Sequence, residues 1–128
     1  MRTIGLLGGM SWESTALYYR LINEAVRRRL GGLHSARIAM LSVDFQEIAS
    51  LQAAGDWTGA GQCLADEARR IEAAGADFLL ICTNTMHRVA DVVAAAVDIP
   101  LLHLADATAV RVRAEGVTRV GLLGTRFT

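Results

Sequence analysis

The chain has 128 residues, near the usual size of one domain and enough for a single packed core. Thirteen basic side chains balance thirteen acidic ones with no run of like charge, which excludes the electrostatic footprint of a nucleic-acid or anionic-membrane binder and points to a small-molecule ligand. One proline, few aromatic residues and an abundance of Ala, Leu, Val and Ile exclude a disordered chain and disfavour a turn-rich β-sandwich.

Short apolar runs alternate with longer stretches of helical period, the pattern of successive β-α units around a mostly parallel sheet. The first strand is expected over residues 3–7, and a glycine turn carries it into a helix over residues 11–30 with Ser11 as N-cap, Leu17 and Leu21 at helical spacing, and Gly31-Gly32 as the stop. The apolar stretch from Ile4 to Met10 is too short and too broken by glycine for a signal segment or membrane span, so a cytoplasmic protein is expected. A second strand over residues 37–43 precedes helices over residues 45–54 and 58–74. The third strand, 77–81, passes into a helix over 84–97, and a fourth, 100–102, leads to a helix over 106–115. A fifth strand is expected over residues 119–123. Strands one, three and five are apolar at nearly every position, as strands covered on both faces are, so the expected fold is a doubly wound α/β sheet flanked by helices.

Arg119-Val120-Gly121-Leu122-Leu123-Gly124 repeats Thr3-Ile4-Gly5-Leu6-Leu7-Gly8 almost residue for residue. One reading takes residues 1–117 as a first lobe and 118–128 as the opening strand of a second, similar lobe that is otherwise absent. The other takes both segments as ordinary buried strands followed by glycine.

In open parallel sheets the ligand crevice lies outside the carboxyl ends of the strands. The richest of these ends is Cys82-Thr83-Asn84-Thr85, a thiol and three hydrogen-bonding side chains where a buried strand gives way to a helix. Backbone N–H groups and the helix dipole there suit a carboxylate or phosphate, and a thiol in that field is expected to ionise more easily than a free one. The plainer alternative makes Cys82 a small core residue and Thr83 or Asn84 a helix cap. Gly8-Gly9-Met10-Ser11 invites a nucleotide reading, but neither the dinucleotide fingerprint nor a P-loop is spelled, and close approach of backbone to a small ligand accounts for the glycines. Gln52 and His87 are further candidates, either to reach a ligand or to be solvated or locally bonded. His103 and Asp106 follow the fourth strand as ligand groups or caps, Cys63 is expected in the core, and His34 in solvent. Two cysteines form neither a disulfide framework nor a metal-ligand spacing, so no metal site is expected.

Taken together, Gly8-Gly9-Met10-Ser11-Trp12-Glu13-Ser14, Ser42-Val43-Asp44-Phe45 and Cys82-Thr83-Asn84-Thr85-Met86-His87 resemble the aspartate/glutamate racemase family, in particular its broad-specificity or L-aspartate/glutamate-specific branch. The resemblance runs over the whole chain. It implies two similar α/β lobes with an amino acid between them, no pyridoxal phosphate or other cofactor, frequent homodimers, and racemisation by two bases on opposite faces of the α-carbon. It also implies Met10, Gln52, Thr83, Asn84 and Thr85 as substrate contacts, with Asn84 and Thr85 on the α-carboxylate. The family carries a cysteine immediately before Asn-Thr; here that position is Thr83, and Cys82 lies one residue earlier. Thr83 and Cys82 are thus the catalytic candidates of this lobe, and residues 1–128 alone are expected to be inactive without the partner base. A non-catalytic carboxylate-binding module and a lyase or isomerase acting through a carbanion are the competing functions.

Overall fold

The computed structural model describes all 128 residues. Strand β1 (Thr3–Gly8) leads into helix α1 (Trp12–Leu30), β2 (Arg37–Ser42) into α2 (Phe45–Ala54) and α3 (Trp57–Ala73), and β3 (Phe78–Ile81) into a 3-10 turn (Thr85–Val89), α4 (Ala90–Ala94) and α5 (Leu104–Ala114). The sheet is parallel with order β2-β1-β3, so β1 is central and both strand-to-strand connections are helical crossovers. The α/β class, with a parallel sheet flanked by helices, is as the alternating sequence pattern predicts.

The core forms between the sheet and α3. Ala60, Leu64, Ala68 and Ile71 follow one another at four-, four- and three-residue steps, which places them on one helical face, and all are buried against Leu7, Leu79 and Ile81. Ile48, Met86 and Val93 close the same cluster. Each fully buried Leu or Ile here contributes about 1.5–3 kcal/mol of transfer free energy.

Three expectations are corrected. Residues 100–102 supply one bridge, Leu79 with Leu101, because Pro100 can offer only its carbonyl and the chain turns into α5 immediately afterwards. Residues 119–123 form no strand: the segment pairs with no other strand of this chain, both edges of β1 are taken, and Leu122 and Leu123 are exposed. In α1, Leu17 and Leu21 face outward, and the inward positions are Thr15, which is buried, and the half-buried Ser14, Tyr18 and Ile22. No helix is long and apolar enough to cross a membrane.

Candidate active site

The carboxyl ends of the three strands are stitched together one residue beyond the regular ladder. Val43 N–H donates to Gly8 O (3.0 Å) and Cys82 N–H donates to Leu7 O (2.9 Å), which brings the turns after β1, β2 and β3 side by side. After β1 the chain reverses at Gly9, whose φ of +97° favours glycine, and a Cβ there would collide with the Val43 backbone. One at Gly8 would run into Thr15. These glycines therefore serve the approach of the chain to itself. Thr15 Oγ1 accepts from Gly9 N–H (2.9 Å) and donates to Ser11 O (3.1 Å), fixing the turn; Ser11 occupies the N-cap position of α1 but its side chain makes no capping bond.

The loop after β3 is pinned from α1. Ser14 Oγ donates to Cys82 O (2.6 Å), so the first turns of α1 hold the strand end in place. Beyond it a cleft of about 280 Å³ opens, lined by Ser11, Ser14, Tyr18, Thr83, Asn84 and Thr85, and faced on its other side by the segment that contains Leu123 and Thr128. Thr85 Oγ1 and Thr128 Oγ1 are 3.2 Å apart across it. The N–H groups of Thr83, Asn84 and Thr85 donate to no acceptor within the chain. Three residues with consecutive free N–H donors and polar side chains thus line one small cleft, a composition suited to a carboxylate.

The helix expected over residues 84–97 is instead a five-residue 3-10 turn followed by the short α4. His87 Nδ1 lies 2.8 Å from Thr83 O, the carbonyl that an α-helix would offer to the His87 N–H. The His87 N–H donates one residue closer, to Asn84 O at 3.1 Å, as the 3-10 pattern requires. No long helix is present here to build the expected macrodipole, so the local N–H groups are the donors that the loop offers.

Of the residues singled out in the sequence, the structure brings Thr83, Asn84 and Thr85 together on the cleft. Cys82, wholly buried, does not line it, and burial pushes its thiol up to about 12. The expectation of easier ionisation is thereby overturned: desolvation of the thiolate outweighs any help from the neighbouring N–H groups. Met10 belongs to the buried core cluster, and Gln52 is buried with its Nε2 2.9 Å from Met86 Sδ, so neither lines the cleft. Asp44 caps α2, accepting from Gln46 N–H at 3.0 Å. His103 caps α5, accepting from Ala105 N–H at 3.2 Å, with Asp106 in that helix's first turn. Cys63 packs half-buried against the core, and His34 is exposed.

Sequence reasoning missed Ser14 and Tyr18. The signal was present: Ser11, Ser14 and Tyr18 fall at i, i+3 and i+7, a polar stripe on one face of α1 aimed at the strand ends. Burial raises the Tyr18 phenol above its ordinary value, and the neighbouring Cys82 adds to the effect, so Tyr18 meets the cleft as a neutral hydroxyl.

The family model for Asp/Glu/hydantoin racemases matches residues 7–128. The chain belongs to that family. Among solved structures, it is similar to a candidate Asp/Glu racemase from Yersinia pestis, with 57% identity and a TM-score of 0.95 over 100% of this chain and 56% of that one. It is also similar to an aspartate racemase homologue from Pyrococcus horikoshii, with 31% identity and a TM-score of 0.83 over 91% of this chain and 50% of that one. The chain thus spans about half the length of these members of the racemase family.

Proposed function

We propose that the protein racemises a free amino acid, aspartate, glutamate or a broader set, by transfer of the α-proton between two side chains and without pyridoxal phosphate. Membership of the racemase family supports the reaction class. The single observation that carries the site is the cleft in which Thr83, Asn84 and Thr85 present free N–H groups and hydroxyl and amide side chains side by side. In this reading Asn84 and Thr85 hold the α-carboxylate, and the donors steady the charge that develops on it as the α-proton leaves.

Thr83, which lines the cleft, stands at the proton-transfer face of this lobe. Cys82 has a structural role, because a buried thiol that remains protonated and out of the cleft has no access to a substrate proton. A threonine hydroxyl is a far weaker base than a thiolate, so the two faces of the α-carbon are served unequally and one enantiomer is favoured as substrate. The second base belongs to the opposite wall of the site, in a lobe equivalent to the unmatched half of the longer relatives. The test is entry of solvent deuterium at the α-position of L- and D-amino acids in the two-lobed protein that carries both bases, with Thr83→Ala and Cys82→Ala made separately. Loss of exchange in Thr83→Ala with retention in Cys82→Ala is the expected result. Tight amino-acid binding without any exchange would instead make the protein a carboxylate-binding module.

A further inference from the structure

His87 reaches in two directions at once. Its Nδ1 faces the carbonyls of Thr83 (2.8 Å) and Asn84 (3.3 Å), and its Nε2 lies 3.3 Å from the backbone nitrogen of Leu104, the first residue of α5. Carbonyls only accept and an N–H only donates, so the ring must carry its proton on Nδ1 and leave Nε2 bare. Only the neutral Nδ1–H tautomer satisfies all three partners. His103 stands edge-on to it, ring centroids 4.5 Å apart, and uses its own bare Nδ1 to accept from Ala105 N–H. Two imidazoles in acceptor form therefore cap consecutive N–H groups of α5, a helix that buries none of its residues.

We infer that His87 is a positioning residue that clasps the Thr83-Asn84 loop to the start of α5, and that protonation of its ring releases the clasp. An imidazolium at this place would point an N–H at the Leu104 N–H and put positive charge at the positive end of a helix. Only the Thr83 and Asn84 carbonyls on the other side of the ring favour the charge. The cavity of about 480 Å³ between α5 and the loop is lined by no Asp, Glu, Lys or Arg side chain, and its only titratable side chains are His87 and His103. Asp106 in the first turn of α5 and Asp91 in α4 do not line that cavity, and Arg88 lies over the Trp57 ring. Burial lowers the His87 basicity, the Thr83 carbonyl partly opposes this, and His103 adds to the lowering. The clasp is thus closed at neutral pH and opens on acidification. Its structural part holds whatever the protein turns over; the reading of Thr83–Thr85 as the substrate strip enters only in the consequence that KM rises as the clasp opens.

The test is nitrogen-detected NMR of the histidine rings, with amide hydrogen exchange, between pH 5 and 8. The Nδ1–H tautomer of His87 is expected, together with a loss of protection at Leu104 and Ala105 of at least about tenfold relative to Leu79–Ile81 as the ring titrates. His103→Asn, which keeps a capping side chain but cannot titrate, retains that pH dependence; His87→Phe lowers Leu104 protection at every pH and abolishes it. An Nε2–H tautomer, titration of His87 with no change at Leu104, or an undiminished pH dependence in His87→Phe would overturn the clasp. The tautomer is read on the unmutated protein, so the inference stays testable if His87→Phe does not fold.

Discussion

Ser14→Ala is the smallest change that separates the position of the site loop from its chemistry. It removes one oxygen, the donor to Cys82 O at 2.6 Å, and leaves that carbonyl, on a wholly buried residue behind α1, without the partner that the structure supplies. A buried carbonyl so orphaned costs about 1–3 kcal/mol. With a urea slope of about 1.5 kcal/mol/M, the unfolding midpoint falls by about 0.7–2 M. Ser11→Ala serves as the control: Ser11 sits at the N-cap but makes no side-chain capping bond, so its removal costs less than about 0.5 kcal/mol. In the same samples the amide resonances of Thr83 and Asn84 shift in Ser14→Ala and stay in place in Ser11→Ala. Equal midpoints for the two variants, or unmoved Thr83 and Asn84 resonances in Ser14→Ala, would refute the pinning of the loop by α1.

Replacement of Thr83 by Ala lowers α-deuterium exchange by about 10²–10⁴-fold if its hydroxyl transfers the proton, whereas Cys82→Ala leaves exchange within a few fold. Because the folded Cys82 thiol is held at about 12, well above its ordinary 9.0, the contribution of its neutral form is complete below pH 9 and is lost as pH rises from 9 towards 12. Urea midpoints at pH 8 and 10.5 therefore diverge more in the unmutated protein than in Cys82→Ala. For His87 the lowering has the opposite consequence, with stability falling as pH drops below the ordinary imidazole value near 6.5. That loss is absent in His87→Phe. Leu64→Ala, which empties a wholly buried position on α3, costs about 2–5 kcal/mol in the same unfolding assay and leaves the tautomer of His87 unchanged.

What could be read from the sequence follows the range of the interactions concerned. The strands at β1, β2 and β3 and the helices between them arise from local periodicity and glycine stops, and the structure places them within a residue or two of expectation. Residues 119–123 have the same local character as β1, yet a strand exists only where a neighbour offers its edge, and no local pattern reveals that. The outward turn of Leu17 and Leu21 has a similar origin: α1 carries apolar residues on more than one face, and tertiary packing selected the face with Thr15.

The site is legible to a different degree. Strand ends mark where ligands bind in a parallel sheet, so Thr83-Asn84-Thr85 could be located from sequence, whereas the state of Cys82 could not, because its basicity depends on how completely the fold removes it from water. The broken helix after Asn84 makes the same point through hydrogen bonds. Residues 84–97 contain no glycine or proline to forbid an α-helix; what local pattern does not reveal is that the His87 ring meets the Thr83 carbonyl on one side and the Leu104 N–H, seventeen residues away, on the other. One imidazole thereby ties the loop to α5. The segment that leads into α5 is also held to the sheet, where Leu102 N–H donates to Leu79 O, so the loop and α5 are joined both through the ring and through β3.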